Sequence, residues 1–214
     1  MFSLIITAGG TSSRYGNKNK LLEKIGSKTV IEYSVEPFYK FSEIKEIIIP
    51  ANSSIIDELK DIFNNSKIFL IEGGQTRQES VYKALQRVNE KYVIIHDGAR
   101  PLITEEIIKN VIISVQIHDA VSVMTKTTDT IKEVNENGQI IRTIDRSKLY
   151  NTQTPQAFKT ELILNAHTKL KNKNFTDDSS MLEELNFPVH IVEGSYKNIK
   201  ITSKSDLDFA KLYI

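Results

Sequence analysis

The sequence predicts an α/β protein built on a doubly wound, mostly parallel sheet. Three observations carry that expectation: short runs that are almost uniformly apolar, amphipathic stretches of helix length alternating with them, and glycine-bearing turns where several of the runs end. A strand covered on both faces needs apolar side chains at nearly every position, so unbroken β-branched runs mark a sheet held between two helical layers. Strand-then-helix repeats of this length cross over right-handed and leave helices on both sides.

Strands are predicted over Ser3–Thr7, Glu46–Pro50, Lys67–Ile71, Tyr92–His96 and Ala120–Met124, and helices over Val30–Tyr39, Ser54–Asn64, Arg77–Val88 and Glu105–Ile117. In the last helix Ile107, Ile108, Val111, Ile112 and Val115 fall on one face, with Thr104 placed to cap its start. Thr127–Ile144 breaks the rhythm, because two alternating stretches flank Asn135-Glu136-Asn137-Gly138 and no crossover helix follows. That is a β-hairpin signal. A hairpin arm here, at about residues 127–145, reaches over a site or to another subunit, and an edge hairpin without function fits the pattern equally well. Beyond it come a helix near Thr160–Leu170, another from Asp177 to Leu185, a strand at Val189–Val192, a short strand at Asn198–Thr202 and a closing helix from Lys204.

The chain has 214 residues and no linker, repeat or low-complexity tract, so residues 1–214 are expected to form a single domain. A composition 40% hydrophobic and 26% charged excludes a disordered chain. Lys and Arg number 28 against 27 Asp and Glu, and a net charge of +1 argues against a protein held on nucleic-acid backbones. The absence of cysteine removes disulfides, thiolate metal sites and thiol nucleophiles together. No apolar run is long enough for a bilayer and none has the flanks of a secretory leader, so a cytoplasmic protein without membrane partners is expected.

Ligands of open parallel sheets bind at the carboxyl ends of the strands. The first strand ends in Thr7-Ala8-Gly9-Gly10-Thr11-Ser12-Ser13-Arg14, where small residues let backbone N–H groups approach phosphate oxygens and Arg14 adds a charged fork. Neither the dinucleotide fingerprint nor the Gly-Lys-Ser/Thr of a P-loop is present, and a glycine pair after a strand also serves as an ordinary turn. Lys18, Lys20 and Lys24 follow; each alone reads as a solvated helix start, whereas together with the glycines and Arg14 they suit a triphosphate. The third strand runs into Gly73-Gly74-Gln75-Thr76-Arg77, with Ser80 one turn on, again either a polar helix start facing a ligand or a capped turn. The fourth ends in His96-Asp97-Gly98-Ala99-Arg100-Pro101. Asp97 there could meet a ribose hydroxyl or a metal-bound phosphate, or pair with Arg100, and His96 reads as structural. Thr176-Asp177-Asp178 has helix capping as its default explanation. Strand-end cations (Arg14, Lys20, Arg100, Arg146, Lys200) outnumber the one clear acid, Asp97, which favours a highly anionic small substrate.

Taken in order, Ala8-Gly9-Gly10…Arg14, Gly73-Gly74-Gln75-Thr76-Arg77…Ser80, His96-Asp97-Gly98-Ala99-Arg100-Pro101, Asp129-Thr130-Ile131-Lys132, Gln153-Thr154-Pro155-Gln156, Thr176-Asp177-Asp178 and Asn198-Ile199-Lys200-Ile201-Thr202 resemble the 2-C-methyl-D-erythritol 4-phosphate cytidylyltransferases. The resemblance implies a Rossmann-like nucleotidyltransferase that joins CTP to methylerythritol phosphate and releases pyrophosphate, with Mg²⁺. It assigns Arg14 and Lys20 to the pentacoordinate α-phosphorus, and Arg146 and Lys200 to positioning the attacking phosphate. By the same resemblance Ala8, Gly9, Gly10, Gly74, Gln75, Ser80 and Asp97 hold the nucleotide, and Arg100, Thr130 and Thr154 line the polyol phosphate pocket. No metal ligand is assigned, although Asp97 is the best candidate. The implied assembly is a homodimer whose arm brings Thr130 and Arg146 to the partner's site.

The chain departs from the family's usual pattern at Ser12, at Asn19-Lys20-Leu21 with Lys18 nearby, and at Gln75. Two other readings stand beside this one: a ribitol-5-phosphate cytidylyltransferase on the same scaffold, and a catalytically silent nucleotide-binding module. A dinucleotide-dependent reductase fits poorly, since the second strand closes in Ile49-Pro50-Ala51 without an acid.

Overall fold

The computed structural model describes residues 1–10, 15 and 19–214. Seven strands form one sheet: β1 (Phe2–Thr7), β4 (Ile44–Ala51), β5 (Ile68–Glu72), β6 (Tyr92–Asp97), β7 (Ala120–Lys126), β10 (Tyr150–Lys159) and β11 (His190–Glu193), in the order β11-β7-β10-β6-β1-β4-β5. Every pairing is parallel except the two made by β10, which runs antiparallel to β6 and β7. Two small hairpins stand outside it: β2 (Lys24–Ile25) with β3 (Lys28–Thr29), and β8 (Lys132–Val134) with β9 (Ile140–Thr143).

Alternation along the central strands explains the two helical layers. Leu4, Ile6, Ile47, Ile49 and Ile94 face one side, where Leu59 of α2 (Ile56–Ile62) and the apolar stripe of α4 (Glu105–His118) cover them. Ile5, Ile48, Val93 and Ile95 face the other, under α3 (Arg77–Leu85), α5 (Thr160–Lys169) and α6 (Ser179–Glu184). Each fully buried Ile or Leu contributes about 1.5–3 kcal/mol, so the bilateral burial anticipated from the uniform runs is the main stabilising term. A third, smaller cluster joins Tyr15, Ile25, Val30 and Ile201 to Leu207 and Ala210 of α7 (Lys204–Ala210).

Several expected elements are altered. The helix expected over Val30–Tyr39 is α1 (Val30–Val35) followed by a 3-10 turn, Glu36–Lys40. Pro37 has no N–H for the carbonyl one turn back, and the α-helical ladder stops there. Strand β10 was not anticipated, because its sequence is largely polar. The short strand expected at Asn198–Thr202 is irregular chain tied by Ile201 N–H to the Ala99 carbonyl at 2.8 Å. The expected hairpin is present as β8 and β9, turning at Gly138 with φ of +76°, a conformation that favours glycine. Val134, Ile140 and Ile141 on it are exposed.

The chain runs from β1 out to β4 and β5, then returns to place β6 on the other side of β1. This reversal is the topological switch point where open α/β sheets bind ligands.

Candidate active site

At the switch point lies a cavity of about 320 Å³, and its walls come from five segments distant in sequence. The end of β1 supplies Thr7, Gly9 and Gly10; the 3-10 turn Lys20–Leu22 supplies Lys20; the approach to α3 supplies Gln75, Arg77 and Ser80; and the end of β6 supplies Asp97. Lys200 closes it from the irregular segment that the third apolar cluster anchors.

The glycine turns are set by close approach. Ser80, 1% exposed, accepts from Gly74 N–H at 2.9 Å and donates to the Thr76 carbonyl at 2.8 Å. A Cβ on Gly9 would come within 2.8 Å of that hydroxyl, so only glycine lets the β1 turn lie against α3. Thr76 caps α3 by accepting from Glu79 N–H at 3.0 Å. Of the two readings of this turn, the cap is present and the cavity is lined by it as well.

Asp97 is the electrostatic centre. Its carboxylate accepts from Thr7 Oγ1 at 3.2 Å and lies 2.9 Å from Lys200 Nζ, 3.5 Å from Arg77 Nε and 3.5 Å from Arg100 Nε. Burial alone would raise its pKa, but Lys200, Arg77 and Arg100 together hold it well below the usual carboxylate range. Thr154 fixes its backbone: the Oγ1 accepts from Asp97 N–H at 3.0 Å and lies 3.1 Å from His96 Nδ1. A two-residue register shift in β10 between Thr152 and Gln156 aims Thr154 at this point. His96 is fully buried, its Nε2 is 3.3 Å from the Arg100 carbonyl, and burial pushes its pKa down to about 4.

The cavity therefore gathers Gly9, Gly10, Lys20, Gln75, Ser80, Asp97 and Lys200 from the residues singled out in the sequence. Other candidates lie elsewhere. Ala8 is buried in a bridge to Ala51, and Gly74 lines a neighbouring cavity that shares Gln75. Arg100 lies beneath Asp97 with Nη1 donating to the Asn198 carbonyl at 2.7 Å, and Thr154 is spent on the backbone contact. Thr130 and Arg146 are exposed at the arm, where Arg146 Nη1 donates to the Thr128 carbonyl. Arg14, Ser12 and Lys18 lie outside the described residues.

Sequence reasoning passed over Arg77 as one more polar group at a helix start, and read Asp178 as a cap. Asp177 Oδ1 does accept from Ser180 N–H at 3.3 Å. Asp178 instead turns inward, 2.8 Å from Arg77 Nη2 and 3.1 Å from His167 Nε2. Two consecutive acids where a cap needs one was the available signal.

Asp97 does not fit as the ligand of a resident metal, since both oxygens already face cations or a hydroxyl. Among the described residues no group of three or more His, Cys, Asp or Glu side chains could hold a metal ion. The donor set suits an anion.

A Rossmann-like sheet with a cation-lined cavity and glycine turns at its switch point defines a nucleotidyltransferase. Residues 2–214 match the family model for 2-C-methyl-D-erythritol 4-phosphate cytidylyltransferase. Relatives with that name include those of Caldanaerobacter subterraneus subsp. tengcongensis, 40% identical over 99% of this chain and 98% of that one, and Prochlorococcus marinus, 41% identical over 100% and 97%. Among solved structures, the 4-diphosphocytidyl-2C-methyl-D-erythritol synthase of Anaerococcus prevotii superposes with a TM-score of 0.88 at 32% identity, covering 99% of this chain and 95% of that one. The Thermus thermophilus 2-C-methyl-D-erythritol 4-phosphate cytidylyltransferase gives 0.83 at 27% identity, covering 99% and 97%. The chain belongs to the 2-C-methyl-D-erythritol 4-phosphate cytidylyltransferase family, and it is a nucleotidyltransferase enzyme. No helix among the described residues is long and apolar enough to cross a membrane.

Proposed function

We propose that the Asp97 cavity is where CTP and 2-C-methyl-D-erythritol 4-phosphate are joined, giving the CDP-methylerythritol and pyrophosphate. The observation that carries this reading is the convergence of Lys20 and Lys200 on a cavity walled by Gly9 and Gly10, at the switch point of a sheet in a chain of this family. A phosphate monoester oxygen attacks the α-phosphorus in line, the new P–O bond forms as the bond to the β-phosphate oxygen breaks, and pyrophosphate leaves with its electron pair. Such transfer depends on positioning and charge neutralisation, so no protein nucleophile is required. Lys20 and Arg14 neutralise charge on the transferring group, while Lys200 and Arg146 orient the attacking phosphate. Gly9, Gly10, Gln75, Ser80 and Asp97 hold the nucleotide, with Ala8 and Gly74 shaping the two turns beside them; Arg100 and Thr154 support Asp97 from beneath, and Thr130 belongs to the polyol side.

The Asp97 environment supports Mg²⁺ arriving with the triphosphate rather than residing on the protein, in keeping with a cation that prefers substrate phosphates to a protein cage. The reading includes a single nucleotidyltransferase domain with the hairpin as its arm, acting in the cytoplasm. It also includes a homodimer in which that arm carries Thr130 and Arg146 to the partner's cavity. Both are exposed and neither lines its own cavity, which together with the exposed Val134, Ile140 and Ile141 supports this. A pyrophosphate-release assay crossing CTP, UTP and ATP with methylerythritol phosphate and ribitol 5-phosphate tests the reading. Turnover is expected only with CTP and methylerythritol phosphate, and a preference for ribitol 5-phosphate would overturn the substrate.

A further inference from the structure

One guanidinium in the cavity wall has no part in the roles above. Arg77 stands between two buried carboxylates, with Nε 3.5 Å from Asp97 Oδ1 and Nη2 2.8 Å from Asp178 Oδ2. The two acids differ in what they face. Asp97 lines the cavity, whereas Asp178 lies behind it and is 1% exposed. We propose that Arg77 is a further substrate-binding cation of the cavity, and that Asp178, backed by His167, is the positioning residue that holds it there.

The surroundings of Asp178 are built for a fixed position. Its N–H donates to Gln156 Oε1 at 3.1 Å, and Gln156 Nε2 reaches back to Asp177 at 2.6 Å. The incoming chain is fastened by Phe175 N–H donating to Gln78 Oε1 at 3.1 Å, so the residue after Arg77 grips the same segment. Behind Asp178, His167 Nε2 lies 3.1 Å from Oδ1, and its ring is parallel to that of Tyr82, 6.0 Å away. His167 Nδ1 is buried without a hydrogen-bond partner, so Nε2 makes the ring's polar contact, to Asp178. A buried carboxylate is costly unless it is paired, and here Arg77 Nη2 forms an ion pair with Asp178 Oδ2 at 2.8 Å, without hydrogen-bond alignment, while His167 Nε2 lies 3.1 Å from Oδ1. The result is a guanidinium in the cavity wall, held by buried Asp178 through Nη2 and facing cavity-lining Asp97 through Nε. When the anionic substrate arrives it can take the place that Asp97 occupies on Arg77, while the stronger contact to Asp178 stays.

A clamp that only ties α3 to the segment before α6 is the competing explanation, and kinetics separate the two. The inference rests on the reading of the cavity as the nucleotide site, which wild-type turnover of CTP and methylerythritol phosphate checks by itself; a wild type that turned over neither would overturn both. In an active enzyme, Arg77→Gln is expected to lower kcat/KM for CTP about tenfold or more, by loss of a charge-assisted hydrogen bond. Asp178→Asn, which keeps the shape and removes the charge, is expected to fall in the same direction. The double variant should then be within about twofold of Arg77→Gln alone, because residues acting through one group do not add. If Asp178→Asn does not fold, His167→Phe keeps the aromatic face on Tyr82 and deletes the bond to Asp178. Its loss should appear in the wild-type background and vanish in Arg77→Gln. Wild-type kinetics in Arg77→Gln, or losses that multiply in the combined variants, would overturn the proposal.

Discussion

Replacing Lys200 by Ala separates positioning of the attacking phosphate from binding of CTP. Lys200 Nζ sits 2.9 Å from Asp97, and its side chain is 38% exposed. The resting ion pair is therefore partly screened, and Asp97 keeps Arg77 and Arg100 after Lys200 is gone. The stability cost should be about 1 kcal/mol or less, a fall of about 2–4 °C in Tm for a chain of this size. The kinetic cost should be larger, because a charged hydrogen bond to the attacking phosphate is worth about 1.5–3 kcal/mol, about a tenfold to hundredfold loss. Steady-state pyrophosphate release at saturating CTP and varied methylerythritol phosphate should show the loss in KM for the polyol phosphate or in kcat. Calorimetric affinity for CTP should stay near wild type. Unchanged turnover, or a defect confined to CTP affinity, would refute the role given to Lys200.

Other substitutions test other walls of the cavity. Lys20→Ala should cost about 3–4 kcal/mol in the barrier, as for a lost oxyanion donor, while Lys18→Ala costs far less; equal losses in turnover would remove Lys20 from the mechanism. Mixing inactive Arg146→Ala and Lys20→Ala chains should restore part of the activity, because one site of a mixed dimer is then complete; no recovery in verified mixed dimers would place Arg146 in its own subunit's site. His96 is pushed down to about 4, from an ordinary value of about 6.5, by burial. The unfolded chain binds the extra proton first, so this term is present above about pH 6.5 and is lost as pH falls toward 4, up to about 3 kcal/mol. Denaturant melts of wild type and His96→Gln across that window should converge toward low pH, and parallel curves would show that His96 does not titrate this way.

Strands such as β1 and β6 were legible because burial on two faces leaves no place for polar side chains, and hydropathy alone reveals them. Strand β10 was hidden by the same logic. Gln156 is fully buried yet polar, its amide satisfied by Ser122 and Asp177 across the packing interface. A segment that buries hydrogen-bonding groups looks like a loop until its partners are known. Ile199 and Ile201 misled in the opposite sense, because an apolar ladder carrying one lysine suggested a strand where Ile201 in fact plugs the small cluster under α7. In the site, residues at strand ends were found because parallel topology brings those ends together. The inward turn of Asp178 toward Arg77 was not found, since the one local sign was the doubled acid at 177–178, and capping by Asp177 hides the purpose of the second.

The arm leaves and re-enters the sheet at one place. Tyr150 opens β10 directly opposite Lys126, the last residue of β7, and Thr127 N–H donates to the Leu149 carbonyl at 3.0 Å. Everything in residues 128–148 is thus an excursion from a closed doorway, and its length is independent of the register that aims Thr154 at Asp97. Such a graft point lets the outward segment be shortened, lengthened or exchanged while the interior stays as it is. A version trimmed between Thr127 and Leu149 loses Thr130 and Arg146 with the arm, yet should remain a folded scaffold on which a foreign arm can be spliced.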